Sequence, residues 1–200
     1  MCSSRKVACT TVFYTLVDAV QRYNQLPYYK VQQAGDRYGI EKFLRERHCL
    51  YPVSSLDDVA RCSTRIAIVR DPVDRIVSVY RDRIVKKNRA DLSWEQFIKD
   101  FDSIRRDNED IHNHSHPQTD HLGMDSTLYS RIYDISEIHR FTQYVVCELC
   151  LSKTYRTHRR KRVHADVPMP QVTDRDRDFI GEYYKEDYAV YGDYFGKTNS

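Results

Sequence analysis

An unbroken apolar stretch, Ile-Ala-Ile-Val, occupies residues 66–69. A run of this length, rich in β-branched residues and bounded by charge, is typical of a strand buried on both faces. Beyond Arg70, apolar residues recur at helical spacing as far as Ile84. Asp71 is suited to cap that helix and Pro72 to begin it, because the first turn needs no N–H from its first residue. The pattern predicts a buried strand that leads at once into a helix.

Four other helices follow from apolar residues that recur at helical spacing. The first covers residues 12–23, and the others begin after the potential N-caps Ser93, Ser136 and Thr173. The last of these is a closing helix at 174–192, which includes the tyrosine-rich segment.

The remaining stretches are shorter or more polar. We expect a polar helix at 36–47, a helical turn at 56–62 and a second strand at 128–135. The polar, histidine-rich residues 107–127 are interpreted as a long functional loop or lid. Strands that alternate with helices predict an α/β fold of three layers, with a mostly parallel central sheet flanked by helices.

Length and composition suit one domain spanning residues 1–200, with 40% hydrophobic and 30% charged residues. No stretch approaches the roughly 18 apolar residues of a membrane span, and the N-terminus lacks the apolar middle of a signal peptide. We therefore expect a cytoplasmic protein, or a luminal domain cut from its anchor. The six cysteines are expected to be reduced, and Cys147-x-x-Cys150 is read as structural, with a zinc or redox site as the alternative.

Arg70 is a candidate anion ligand because it ends a strand at the carboxyl edge of the predicted sheet, where ligands bind in α/β folds. Its planar guanidinium can bind a phosphate with two charge-assisted hydrogen bonds, and Ser78, two turns into the next helix, could add a hydroxyl. The pattern equally allows Arg70 to pair with Asp71 or Asp74.

A second candidate anion site is RKVACTT at residues 5–11. Lys6 precedes a turn, and Thr10 and Thr11 stand at a helix N-terminus, where free N–H groups favour negative charge. The segment has no glycine, which distinguishes it from the glycine-rich nucleotide loop.

Two polar clusters leave alternatives open. The histidine cluster could bind zinc, or it could form a polar loop in which one or two histidines bind a substrate; its members are His112, His114, His116 and His121, with Asp110 and Asp120. The basic run is a solvated loop, a contact for a ligand's 3′-phosphate or an acidic glycan, or a nucleic-acid contact; its members are Arg156, Arg159, Arg160, Lys161 and Arg162. The net charge of +3 is too small to indicate nucleic acid, so no nucleic-acid partner is expected.

The two anion motifs together resemble one protein family. VRDPVDRIVSVYRD at 69–82 resembles the 3′-phosphate-binding motif of sulfotransferases that use 3′-phosphoadenosine-5′-phosphosulfate, in particular the membrane-type carbohydrate branch with its heparan 2-O- and HNK-1-like members. RKVACTT resembles that family's 5′-phosphosulfate loop, although Arg5 replaces the usual proline and few residues precede it. HNHSHPQTDHL at 112–122 is similar to the family's His-x-x-Pro-Gln segment, and YYKEDYAVYG at 183–192 to its C-terminal Tyr-x-x-Asp-Tyr helix.

The resemblance implies a sulfotransferase fold related to P-loop NTPases, in which Arg70 and Ser78 hold the donor's 3′-phosphate. Lys6 would act in catalysis and, with its neighbours, hold the 5′-phosphosulfate; the full implied donor set is Lys6, Val7, Ala8, Cys9, Thr10, Thr11, Arg70, Ser78, Arg159 and Arg160. His48 or His114 would act as general base, with Glu41 or Glu46 as alternatives. No metal is required.

The predicted function is transfer of a sulfuryl group from this donor to a hydroxyl acceptor, expected to be a carbohydrate. Two alternatives remain at the level of sequence: an ATP-dependent phosphotransferase, and a non-catalytic module that binds sulfated glycans or nucleic acid.

Overall fold

The computed structural model describes residues 2–3, 16–17, 19–20, 23, 46, 55–85, 92–148 and 168–196. Within these residues the sheet has three parallel strands in the order β1 (Cys2–Ser3), β2 (Ile66–Val69) and β3 (Arg131–Asp134). Ala67 of β2 lies opposite Cys2 on one side and Ile132 on the other. All four residues of β2 are buried, which confirms the predicted central strand.

Helices make up most of the described chain. Their bounds are α1 (Leu56–Ala60), α2 (Pro72–Tyr80), α3 (Trp94–Lys99), α4 (Phe101–Asp107), α5 (Glu109–Ser115), α6 (Thr119–Leu122), α7 (Ile138–Glu148), α8 (Asp174–Tyr183) and α9 (Lys185–Tyr191). A π-helical turn, Arg81–Val85, directly follows α2. Leu16, Val17, Ala19 and Val20 are also helical, in agreement with the predicted first helix.

Three of the predicted N-caps are confirmed. Asp71 Oδ1 accepts hydrogen bonds from the backbone N–H of Val73 at 2.8 Å and of Asp74 at 3.3 Å. Ser93 caps α3, and Thr173 begins α8 with a capping box. These caps could be predicted because a capping side chain and the N–H groups it binds lie within three residues.

The fourth cap is wrong. Asp134 caps a 3₁₀ turn, Ile135–Glu137, by accepting from Ser136 N–H at 2.8 Å, and α7 begins only at Ile138. The strand predicted at 128–135 is also shorter and covers only Arg131–Asp134, because Leu128 ends a 3₁₀ turn before it and Ile135 begins the turn after it.

The loop or lid predicted at 107–127 is also wrong, because helices α5 and α6 occupy much of it. Asn108 caps α5, with Oδ1 accepting from Ile111 N–H at 3.1 Å. Ile111 and Leu122 are each completely buried and anchor these helices. Two apolar residues among polar ones are too few to give a visible helical period.

The core lies on both sides of β2. Ile66 and Ile68 pack with Phe141 of α7, whereas Ala67 and Val69 pack in a cluster that contains Leu122 of α6 and Tyr191 of α9; the alternation follows from the two-residue period of a strand. This mostly helical arrangement around a small parallel sheet is compatible with the predicted α/β class.

A third cluster, rich in aromatic residues, joins α2 to α3, α4 and α8. Cys62 and Cys147 are exposed free thiols, and Cys150 lies outside the described residues. Within the described ranges, no helix has the length and apolar character needed to cross a bilayer.

Candidate anion-binding site at the end of strand β2

The backbone of Arg70 is fixed on both sides by one side chain, Gln118. Arg70 N–H donates to Gln118 Oε1 at 2.9 Å, and Gln118 Nε2 donates to the Arg70 carbonyl oxygen at 2.9 Å. A primary amide carries a donor and an acceptor side by side, and the N–H and C=O groups of one residue present the complementary pair. Gln118 therefore satisfies the backbone of Arg70 where β2 ends and α2 has not yet begun.

Gln118 is itself completely buried and held by the carboxylate of Asp187 in α9, which is also completely buried. Asp187 Oδ2 accepts from Gln118 N–H at 2.9 Å and from Gln118 Nε2 at 3.4 Å. Its Oδ1 accepts from Thr119 N–H at 2.9 Å and from Thr119 Oγ1 at 3.1 Å. Both carboxylate oxygens are thus satisfied in the interior, as a buried charge requires.

Arg75 supplies the opposite charge from α2. Its side chain is 1% exposed, and Nη2 lies 4.0 Å from Asp187 Oδ2 and donates to the backbone oxygen of His116. Its guanidinium also lies over the ring of Tyr184, 5.2 Å from the centroid, in a cation–π contact. Arg75 therefore joins α2 to α9 and to the His-x-x-Pro-Gln segment.

Two tyrosines complete the attachment of the C-terminal helices to this region. Tyr184 Oη donates to the backbone oxygen of Ser115 at 2.6 Å, and Tyr188 Oη donates to Asp71 Oδ2 at 3.3 Å. Burial raises the pKa of Tyr184 to about 12. Burial, followed by the negative charge of Asp71, also raises the pKa of Tyr188. Helix α9 thus contacts Asp71 directly and Arg70 through Gln118.

Partial burial removes water from the Arg70 guanidinium and lowers its pKa. The carboxylates of Asp74, Asp134 and Asp71 act in the opposite direction, while the charge of Arg75 adds to the lowering. Asp74 and Asp71 therefore both contribute to the electrostatic environment of Arg70, and both are the carboxylates that the sequence offered as its alternative partners. Asp71 has further partners of its own, since it caps α2 and accepts from Tyr188.

Ser78 is half-buried on α2, about 10 Å along the helix axis from the Asp71 cap. It lies four residues after the exposed Asp74, so both side chains lie on the same face of α2. An open cavity of about 660 Å³ adjoins the N-terminal end of α2 and is lined in part by Asp71, Asp74, Arg177 and Lys185. The cavity provides space for a ligand next to the junction of β2 and α2.

His114 is placed in α5 with partners on both ring nitrogens. Nδ1 lies 2.6 Å from the backbone oxygen of Asp110 and 3.2 Å from its Oδ1, and Nε2 lies 2.7 Å from Arg83 Nη2. In the neutral ring, Nδ1–H donates to Asp110 and Nε2 accepts from Arg83. Nε2 can then take a proton from another group only after Arg83 moves away.

The other three histidines of the cluster, His112, His116 and His121, form an edge-to-face stack. The ring centroids of His112 and His116 are 4.2 Å apart, and those of His116 and His121 are 5.6 Å apart. Burial, then the neighbouring charges of His116 and Arg105, lower the pKa of His112. In the part of the chain that the structure describes, no group of three or more His, Cys, Asp and Glu side chains is arranged to hold a metal.

Several predicted site residues lie outside the described residues: Lys6, Val7, Ala8, Cys9, Thr10, Thr11, Glu41, His48, Arg156, Arg159, Arg160, Lys161 and Arg162. Strand β1 ends three residues before Lys6 and runs parallel to β2. The chain therefore leaves β1 at the same edge of the sheet as Arg70, as the predicted donor site requires.

Sequence reasoning assigned no role to Gln118, Asp187, Tyr184 or Arg75, although all four stand within the quoted motifs. Their spacing within each motif is visible, but their hydrogen bonds join segments 41 to 69 residues apart. The signal that could identify them is a polar side chain at a motif position that is expected to be buried.

A sequence model described as the sulfotransferase family matches residues 1–194. No curated protein and no solved structure gave a significant match to the chain.

Proposed function

Because the chain belongs to the sulfotransferase family, we propose that it transfers a sulfuryl group from 3′-phosphoadenosine-5′-phosphosulfate to a hydroxyl group of a carbohydrate. Sulfuryl transfer as such follows from the family. The observation that supports this donor is Arg70: a partly buried guanidinium at the carboxyl end of the central parallel strand, with its backbone fixed by Gln118.

We further propose that the complete chain forms the three-layer, P-loop NTPase-like sulfotransferase fold. Two features support this: the described strands are all parallel, and side chains from helices pack against both faces of β2. In such folds the carboxyl edge of the sheet is where nucleotides bind.

The described residues suit an anion such as the donor's 3′-phosphate. Water is partly excluded from Arg70, so an anion that binds there replaces lost hydration with paired charge-assisted hydrogen bonds. Ser78 offers a hydroxyl from α2. Lys6 with residues 7–11, and the basic pair Arg159 and Arg160, remain the predicted ligands of the donor's other groups.

When bound, the donor supplies the sulfuryl group; the chain supplies binding, orientation and a proton acceptor. Lys6 is predicted to neutralise charge on the leaving oxygen, and His48 or His114 to accept the proton of the acceptor hydroxyl. His48 lies outside the described residues. For His114 this role requires that Arg83 release Nε2.

The experiment is thermal unfolding with adenosine 3′,5′-bisphosphate or ATP. We expect the bisphosphate to raise the melting temperature more than ATP does, and expect Arg70→Ala and Ser78→Ala to reduce that difference. Arg61→Ala is the control, because Arg61 is exposed and its ion-pair partner, Asp58, belongs to α1. An equal response to both nucleotides, or none, would overturn the proposed donor; a larger response to ATP would favour a phosphotransferase.

A further inference from the structure

We propose that Gln118 and Asp187 are positioning residues for recognition of the donor's 3′-phosphate, acting through the backbone of Arg70. The inference rests on the proposed function, in which Arg70 binds that phosphate. Neither residue is assigned to touch the ligand: Gln118 fixes Arg70, and Asp187 fixes Gln118.

The first step is the pair of hydrogen bonds between Gln118 and Arg70. Both are 2.9 Å long; one uses the backbone N–H of Arg70 and the other its backbone carbonyl oxygen. Together they restrain the peptide units on either side of the Arg70 Cα, and so the direction in which its side chain leaves the sheet. Glutamate in place of Gln118 could accept but not donate when ionised, and methionine could do neither.

The second step is the orientation of Gln118 by Asp187. Oδ2 of Asp187 accepts from both the backbone N–H and the side-chain Nε2 of Gln118, while Oδ1 is occupied by Thr119. Because Gln118 Nε2 donates to Asp187 and to the Arg70 carbonyl, Oε1 is left to accept from the Arg70 N–H. The buried carboxylate thereby selects the amide orientation that Arg70 needs.

The structure also offers a matched control for loss of stability. Tyr191 Oη donates to the backbone oxygen of Gly123 at 2.8 Å, in a buried hydrogen bond between α9 and the end of α6. This bond joins the same two helices as the contact of Asp187 with Thr119. Because the Tyr191 hydroxyl binds the backbone of Gly123, Tyr191→Phe should weaken the same packing while leaving the hydrogen bonds between Gln118 and Arg70 in place.

The test compares the affinities of the full chain for adenosine 3′,5′-bisphosphate and adenosine 5′-monophosphate by isothermal titration calorimetry. The ratio of the two affinities isolates the contribution of the 3′-phosphate. We expect wild type to prefer the bisphosphate, and Gln118→Met to reduce the ratio about ten- to a hundredfold, since the loss of hydrogen bonds to a charged group has effects of this order on affinity. Asp187→Asn should reduce the ratio in the same direction, and Tyr191→Phe should leave it unchanged while lowering the melting temperature.

The outcomes separate the two proposals. A wild-type ratio near one overturns the proposed donor, and with it this inference. A normal wild-type ratio that survives Gln118→Met overturns the positioning role alone, even if the melting temperature falls. If Gln118→Met does not fold, Asp187→Asn decides by the same ratio, and an unchanged ratio in a folded Asp187→Asn protein overturns the inference.

Discussion

Arg70 and Arg75 belong to the same motif, yet their surroundings differ. Arg70 is half-buried at the end of β2 and is followed by Asp71, which lines an open cavity, whereas Arg75 is almost completely buried between α2 and α9. The charge of Arg75 faces Asp187, and its guanidinium stacks on Tyr184. At the scale of single residues, one arginine lies at the sheet edge where we propose that the ligand binds, and the other holds the fold that supports it.

Replacing Arg75 by methionine should therefore destabilise the protein strongly. The change keeps most of the side-chain volume but leaves Asp187 buried without its opposite charge, which costs on the order of 3 kcal/mol in the free energy of unfolding. Urea unfolding followed by circular dichroism would measure this cost. The double variant Arg75→Met, Asp187→Asn should recover part of it, because the uncompensated charge is then absent. A loss below about 0.5 kcal/mol, as expected for a surface change, would contradict the assignment.

The two histidines predicted as general base should differ in their effect on turnover. His114 Nε2 accepts a hydrogen bond from Arg83, so this nitrogen is occupied and is a weaker candidate for accepting a proton from the acceptor hydroxyl. We expect His48→Ala to lower donor-dependent transfer about a hundredfold, a typical contribution of a general base, and His114→Ala to lower it less. His139→Ala serves as the control, since His139 is exposed on α7. If neither substitution reduces turnover by about tenfold, the assignment of the base to these histidines is wrong.

At the scale of elements, glycine has opposite roles at two positions. Gly123 ends α6 with a φ of 84°, and a Cβ built there would lie 2.7 Å from Leu56 Cδ1. Gly181 lies within α8, where an added Cβ would meet nothing within 4 Å. Left-handed backbone and close approach favour glycine at Gly123, whereas a helix interior favours alanine at Gly181.

Alanine should therefore shift stability in opposite directions at these two glycines. We expect Gly123→Ala to lower the free energy of unfolding by about 1–2 kcal/mol, through backbone strain at its positive φ. Gly181→Ala should raise it by about 0.5–1 kcal/mol. Thermal unfolding of both variants under one condition provides the comparison. Equal effects of the two substitutions would show that the conformation assigned to Gly123 is wrong.

Which elements could be predicted depends on how local their causes are. Asp71, Ser93 and Thr173 were identified as caps because each binds N–H groups two or three residues away. The helices within 107–127 were missed because their stability comes from a few buried contacts such as Ile111, not from a repeated apolar stripe. The site is predictable only in part. Arg70 can be identified because it ends a strand, whereas Gln118, which binds its backbone, lies 48 residues further along the chain.

At the scale of the whole molecule, the C-terminal helices determine the geometry at the centre of the sheet. Tyr184, Asp187 and Tyr188 contact Ser115, Gln118 and Asp71 respectively, across 69 to 117 residues of sequence. This explains physically why a Tyr-x-x-Asp-Tyr segment accompanies the arginine motif in one chain: its three polar side chains all bind the segments around Arg70. We expect the loss of any of these three side chains to change the structure around Arg70 and to lower the stability of the fold.

This arrangement predicts a loss of stability at alkaline pH that depends on Tyr184. Burial raises the pKa of Tyr184 from its ordinary value of 10.0 to about 12, while the charges of Arg75 and Arg105 oppose the rise. The contribution of the neutral phenol to stability is complete below pH 10, where Tyr184 is protonated in both folded and unfolded chains. Between about pH 10 and 12 the unfolded chain releases this proton first, so rising pH favours unfolding. A difference of two pKa units corresponds to on the order of 2–3 kcal/mol.

Tyr184→Phe separates this titration from the hydrogen bond that the same hydroxyl makes. At pH 8 the variant should be less stable by about 1 kcal/mol, because the bond to Ser115 is lost. Between pH 10 and 12, however, its stability should fall less steeply than that of wild type, since it has no buried phenol to ionise. The difference between the two proteins should therefore shrink as the pH rises, in thermal unfolding measured at intervals from pH 8 to 12. Parallel curves for wild type and Tyr184→Phe would mean that Tyr184 does not ionise on unfolding, and that alkaline unfolding is governed by other groups.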